Sequence, residues 1–149
     1  MDWVESTVGM STPGTVSNLT YIDLQQHEAT GGHTLRHHVH PTNAMLRQRL
    51  ASNPQIPGVS KFTDHSTAER IVNMALQANL AQFNAWLASV QARSRFDYDA
   101  GVAIGIGFRQ VLPPYITGPS PLTRVRLVVN KTWSTASTPF LVLTAFPIV

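Results

Sequence analysis

The chain contains no cysteine among its 149 residues. That excludes both a disulfide framework and a thiolate metal site. Charge is also scarce. Asp, Glu, Lys and Arg together make up 13%, about half the share usual in soluble proteins. No apolar run is long enough to span a bilayer. The first residues carry Asp2 and Glu5, where a secretory signal would carry positive charge. Export would then need another carrier, such as a larger protein of which this chain is the end piece. Hydrophobic residues, at 43%, are sufficient for a sizeable core, and the length fits one domain. The net charge of +3 permits a polyanionic partner without demanding one.

Residues 1–17 are rich in Ser, Thr, Gly and Pro and show no period, so they read as a tail or linker before a domain spanning 18–149. The pattern predicts a short helix over Tyr21–Ala29, stopped by Gly31-Gly32. A second helix is expected from Thr42 to Asn53-Pro54, with Met45, Leu46 and Leu50 on its apolar side. The longest expected helix runs from Thr67 to Gln91, with Ser66 and Glu69 in capping-box spacing. Val72, Leu76, Leu80, Phe83, Leu87 and Val90 recur along it at steps of three and four. Beyond residue 94 the period changes to two. Val102, Ile104 and Ile106 alternate with Ala103, Gly105 and Gly107, which predicts a strand with its glycines on one side. A loop with Pro113, Pro114, Gly118, Pro119 and Pro121 follows. Two further strands are expected, over Leu122–Lys131 and Phe140–Phe146. On the last, Phe140, Val142, Thr144 and Phe146 should share a face. Helices first and strands later predict an α+β domain with a mostly antiparallel sheet.

Five of the six histidines fall in one window: His27, His33, His37, His38 and His40. Histidine is the side chain best placed to exchange protons near neutral pH. A zinc motif is a poor match. His27-Glu28 is followed next by His33, and Gly31-Gly32 breaks the helix that would align the ligands. Acid–base chemistry without a metal or other cofactor suits the window better. RNA supplies its own 2′-hydroxyl nucleophile, so a protein needs only proton-transfer groups and donors for the phosphate. Arg36, Arg47 and Arg49 lie close in sequence, and guanidinium offers a planar pair of donors to phosphate. Ordinary roles compete. His27 can satisfy a helix end, Thr144 can be a β-former, Phe146 can be core, and Arg124 and Arg126 can simply keep a sheet face soluble.

The run His27-Glu28-Ala29-Thr30-Gly31-Gly32-His33-Thr34 resembles the opening of the bacterial RNase A-like toxin domain of contact-dependent growth inhibition proteins and related polymorphic toxins. The resemblance continues through His38-Val39, Leu46 with Arg49-Leu50, Phe62-Thr63, Ala68-Glu69, Asn79 and Trp86-Leu87. It ends on Leu143-Thr144-Ala145-Phe146-Pro147 and covers about residues 20–149. It implies a metal-independent endoribonuclease with an RNase A-like fold, acting on tRNA or other single-stranded RNA. It also implies delivery into a target-cell cytoplasm within a larger effector, and a cognate immunity protein that blocks the site. The free domain is expected to be a monomer. On this chain the resemblance points to His38, Arg49 and Thr144 as catalytic, with His33 as a second proton-transfer candidate. Phe146, His40 and Arg126 are substrate-binding candidates. Two departures stand out. His37 and His40 flank the His38-Val39 step where the family has arginine and glycine, and Phe146 replaces a tyrosine. A catalytically weak or inactive RNA-binding or immunity-binding module on the same fold is the alternative reading.

Overall fold

The computed structural model describes residues 21–113, 115–132 and 139–149. The expected tail at 1–17, the domain start at 18 and Pro114 lie outside the described residues. Among the described residues, five helices and six strands appear in the order α1 (Leu24–Ala29), α2 (Thr34–His38), α3 (Asn43–Ser52), β1 (Gly58–Phe62), α4 (His65–Ala78), α5 (Leu80–Leu87), β2 (Arg93–Asp99), β3 (Gly105–Gln110), β4 (Ile116–Leu122), β5 (Arg124–Lys131) and β6 (Phe140–Pro147). The strands form two three-stranded sheets, β1-β3-β4 and β2-β5-β6. Every strand pair is antiparallel. The α+β class is as expected; the division into two sheets was not.

The first helix is capped by Asp23, whose carboxylate accepts from the Gln25 and Gln26 amides. Gly31 then takes φ +126°, a conformation that favours glycine and ends the helix. Gly32 meets a different demand. A Cβ there would stand 2.6 Å from the Val142 carbonyl oxygen and 3.0 Å from that of His27. The bare backbone lets the α1–α2 turn press against the edge of β6. Gly32→Ala is expected to cost about 1–3 kcal/mol of folding stability through overpacking. Urea unfolding of the two proteins checks this; equal stabilities would contradict it.

The long helix expected over Thr67–Gln91 is two helices. It starts earlier, at Asp64, whose side chain accepts from the Thr67 amide at 2.7 Å. The cap is therefore Asp64 rather than Ser66. The break falls at Asn79, which caps α4 and begins α5. The Asn79 amide nitrogen donates back to the Ala75 carbonyl and across to that of Asp97. Such local bonds compete with continued helix. Val90, expected on the apolar face, lies beyond α5 and is 95% exposed.

The core sits between these helices and the β2-β5-β6 sheet. Ile71, Val72, Leu76 and Phe83 cluster with Phe96, Val125, Leu127, Val129 and Val142. A smaller cluster joins Leu46 and Leu50 of α3 to Val59 and Phe108 of the other sheet. Three strands had gone unread: β1 is short, β2 carries Arg or Asp at alternate positions with little apolar signal, and β4 lies where a Pro-rich loop was expected. The strand expected over Val102–Ile106 begins later, at Gly105; Val102 lies in the preceding turn and is exposed. The Pro-rich loop contains β4, with a cis Gly118–Pro119 bond. An edge strand can carry prolines because its outward amides have no ladder partner to lose, and β4 is an edge. The strand expected to begin at Leu122 begins at Arg124.

The last strand carries the irregularity that matters most. Val129 faces Val142, but Val128 faces Thr144, so Leu143 is an extra residue. One inserted residue reverses the alternation beyond it. Phe140 and Val142 join the core, and after the bulge so does Ala145. Thr144 and Phe146 share the opposite face. Their pairing with each other is as expected; their sharing of a face with Phe140 and Val142 is not.

Candidate active site

The histidine segment is fixed by three contacts to its own neighbours and to β6. Glu28 accepts from the Leu35 and Arg36 amides at 3.1 and 2.8 Å, covering the free donors at the start of α2. The His33 amide donates to the carbonyl of Leu143, the bulged residue, at 2.8 Å. His27 is buried, and its Nδ1 accepts from the Val142 amide at 2.8 Å. Burial holds the His27 pKa below the ordinary histidine value, consistent with a neutral ring that accepts a bond. His27 is thus a structural histidine that closes part of the β6 edge.

Held this way, α2 delivers His38 to the junction of the two sheets. The His38 ring packs on Phe146 with centroids 5.3 Å apart. Its Nδ1 lies 3.1 Å from the Ser60 carbonyl oxygen, so Nδ1–H donates and Nε2 is left as the acceptor. Ser60 also ties the sheets together, its hydroxyl donating to the Pro147 carbonyl at 2.5 Å. Burial pushes the His38 pKa down to about 4. The Ser60 hydrogen bond opposes that shift, while the charges of His37, Arg49 and His33 add to it. The imidazole is therefore neutral at pH 7.

A cleft of about 340 Å³ opens beside this ring, lined by His38, Arg49, Gly58, Ser60, Arg109 and Phe146, with Pro57, Val59, Pro147 and Val149 completing the wall. Among the described residues, no Asp or Glu side chain lines it. Gly58 and Gly107 leave room for the Val149 side chain: a Cβ on either would stand within 3.0 Å of it. Small residues there let the end of β6 cross the other sheet closely.

The remaining expected residues are placed less directly. The buried Thr144 hydroxyl has no hydrogen-bond partner among the described residues, and the residue is 8% exposed. It shares the Phe146 face of β6 but does not line the cleft. His33 stacks on His37 with centroids 4.6 Å apart, and His37 stands edge-on to His38 at 6.2 Å. His33 is thus behind His38 rather than on the cleft wall. Burial, then the charges of His33, Arg36 and Arg49, lower the His37 pKa. His40 is exposed beyond α2 and does not line the cleft. Arg126 lies directly across from Phe146, but its guanidinium is held by both Asp97 oxygens at 2.9 and 3.0 Å.

Reasoning from sequence missed Ser60, Gly58 and Arg109. Ser60 and Gly58 belong to the unread β1. Arg109 had a usable signal. Extending the alternation of Gly105 and Gly107 by two residues puts Arg109 on the glycine face.

A small cysteine-free α+β domain, with an imidazole and two guanidinium groups around one cleft, is of the kind built for acid–base work on an anionic substrate. The chain belongs to the family of bacterial CdiA-CT RNase A domains, whose family model matches residues 32–147. Among solved structures it is similar to that of a CdiA-CT/CdiI complex from Y. kristensenii. Identity is 28%, the match covers 79% of this chain and 100% of that one, and the TM-score is 0.66. No curated protein matches the chain.

Proposed function

We propose that the chain is a metal-independent endoribonuclease toxin, which cuts tRNA or other single-stranded RNA by attack of the substrate's own 2′-hydroxyl. The observation that carries this reading is a neutral, carbonyl-oriented His38 beside Arg49 in a cleft that no Asp or Glu side chain lines among the described residues. His38 Nε2 takes the 2′-hydroxyl proton. The 2′-oxygen bonds to phosphorus, and the bond from phosphorus to the 5′-oxygen breaks. The proton passes from His38 to that 5′-oxygen, leaving a 2′,3′-cyclic phosphate. A ring whose pKa is held near 4 is a strong acid once protonated, which suits the return step. Arg49 binds the phosphate as charge gathers on its non-bridging oxygens. Thr144 offers a buried hydroxyl with both donor and acceptor capacity, and Phe146 braces the catalytic ring. His33, through His37, sets the electrostatics behind His38. Delivery within a larger exported effector, and inhibition by a cognate immunity protein, complete the proposal; the CdiA-CT/CdiI complex supports the latter.

Total RNA and a tRNA fraction incubated with the purified chain in EDTA test the reading. Fragments ending in 2′,3′-cyclic phosphate are expected, formed about 10³-fold more slowly by His38→Ala. Intact RNA at high protein concentration would overturn it. So would activity that a chelator abolishes and one particular metal restores.

A further inference from the structure

Arg109 lines the cleft and is exposed, and its guanidinium has no hydrogen bond or ion pair among the described residues. Three other arginines are already engaged. Arg126 is held by Asp97, Arg93 donates to Asn130, and Arg47 donates to the Gly118 carbonyl and covers the Phe108 ring. We propose that Arg109 binds the phosphate one nucleotide away from the bond that is cut, which makes it a positioning residue for a polynucleotide rather than a catalytic one. This rests on the ribonuclease reading above.

The register places it. On the β1–β3 ladder Ser60 faces Gly107 and Gly58 faces Arg109. Residues directly opposite share a face, as do alternate residues along one strand. Ser60, Gly58, Gly107 and Arg109 therefore all lie on the cleft side. Ser60 is the point that orients the catalytic imidazole. Arg109 stands one pleat repeat along the sheet from it, about 7 Å, comparable to one nucleotide step of a single strand. Between them the Val149 side chain packs on Gly58, and Ser60, Arg109 and Val149 all line the same cleft. Electrostatics separate the two cleft arginines in the same sense. The Arg49 charge acts on both His37 and His38, whereas Arg109 is not among the charges that shift either ring. Arg49 thus belongs with the reacting phosphate and Arg109 with its neighbour. A guanidinium with unengaged donors in a cleft that no Asp or Glu side chain lines, among the described residues, is suited to a phosphodiester oxygen.

Two measurements on the whole chain test this. The first compares a ribodinucleotide, with a single phosphodiester, and a ribotetranucleotide, both copied from a mapped cut site. Arg109→Ala is expected to lower kcat/KM on the tetranucleotide at least tenfold more than on the dinucleotide, with the excess in KM. The second measures binding of a 2′-deoxy tetranucleotide, which cannot be cut by this route, across a salt series. Removing one phosphate contact should weaken binding and flatten the slope of log K against log salt by about 0.7; Arg109→Lys should restore the slope. Equal losses on the two ribonucleotides would overturn the assignment, by placing Arg109 at the reacting phosphate. An unchanged salt slope would overturn it too. If binding depends on Arg109 as described yet the wild type cuts no RNA, the phosphate site stands and the ribonuclease reading fails. Matching thermal unfolding of wild type and variants guards against a folding artefact.

Discussion

His38→Ala is expected to slow RNA cleavage by about 10³-fold, within the range that a positioned acid–base group supplies. The pH profile should identify the group more sharply than the loss itself. A base works when neutral, and burial holds His38 neutral down to about pH 4. The acidic limb of kcat/KM for the wild type should therefore lie well below the ordinary histidine value of 6.5, with activity retained at pH 5.5. A limb near 6.5 would show that another group is the base. Stability carries the same signature. The unfolded chain protonates His38 below about pH 6.5, whereas the folded chain resists until about 4. The unfolded state thus binds the extra proton in that window, so stability falls as pH drops from 6.5 towards 4. The full shift corresponds to on the order of 3 kcal/mol. Removing the ring removes that part of the acid sensitivity. His27 and His37, whose pKa values are also lowered, leave a remainder of the same sign. Urea unfolding at pH 7 and pH 4.5 for wild type and His38→Ala measures the difference.

Arg49→Ala is expected to lower kcat by about 10²–10³-fold, the usual effect of losing one donor to transition-state charge. Arg49→Lys should recover only part, because an ammonium does not reproduce the planar fork that grips two phosphate oxygens. A second consequence separates this role from simple substrate attraction. The Arg49 charge is among the causes that lower the His38 pKa. Its loss should raise that pKa, and the acidic limb of kcat/KM should move to higher pH. Stopped-assay kinetics across pH 4–8 on both variants give both readouts. A pure KM effect with an unmoved limb would remove Arg49 from the reacting phosphate.

These two residues were legible before any coordinates, though for different reasons. His38 stands in a histidine-dense window and in a recognisable step of motifs, and Arg49 follows at a fixed distance on a helix that the sequence delimits with Thr42 and Asn53. Gly31-Gly32 was legible as a helix stop. Its second role, admitting the Val142 carbonyl to within 2.6 Å of where a Gly32 Cβ would stand, depends on a contact with residues more than a hundred positions away.

The sequence alone determined the class of fold, the absence of disulfides, the local identity of most helices and the residue types available for proton transfer. These follow from composition and from periods of two and three to four residues, which are local properties of the chain. Tertiary structure decided which of those residues meet. The bulge at Leu143 turns Thr144 and Phe146 to the face opposite Phe140 and Val142, where Phe146 meets His38. Ser60, on a strand too short to be read, fixes the His38 tautomer, and the β1–β3 register puts Arg109 on the same face as Ser60. Strand register and one inserted residue set these meetings, and both are fixed by pairing between distant segments, which no local pattern encodes.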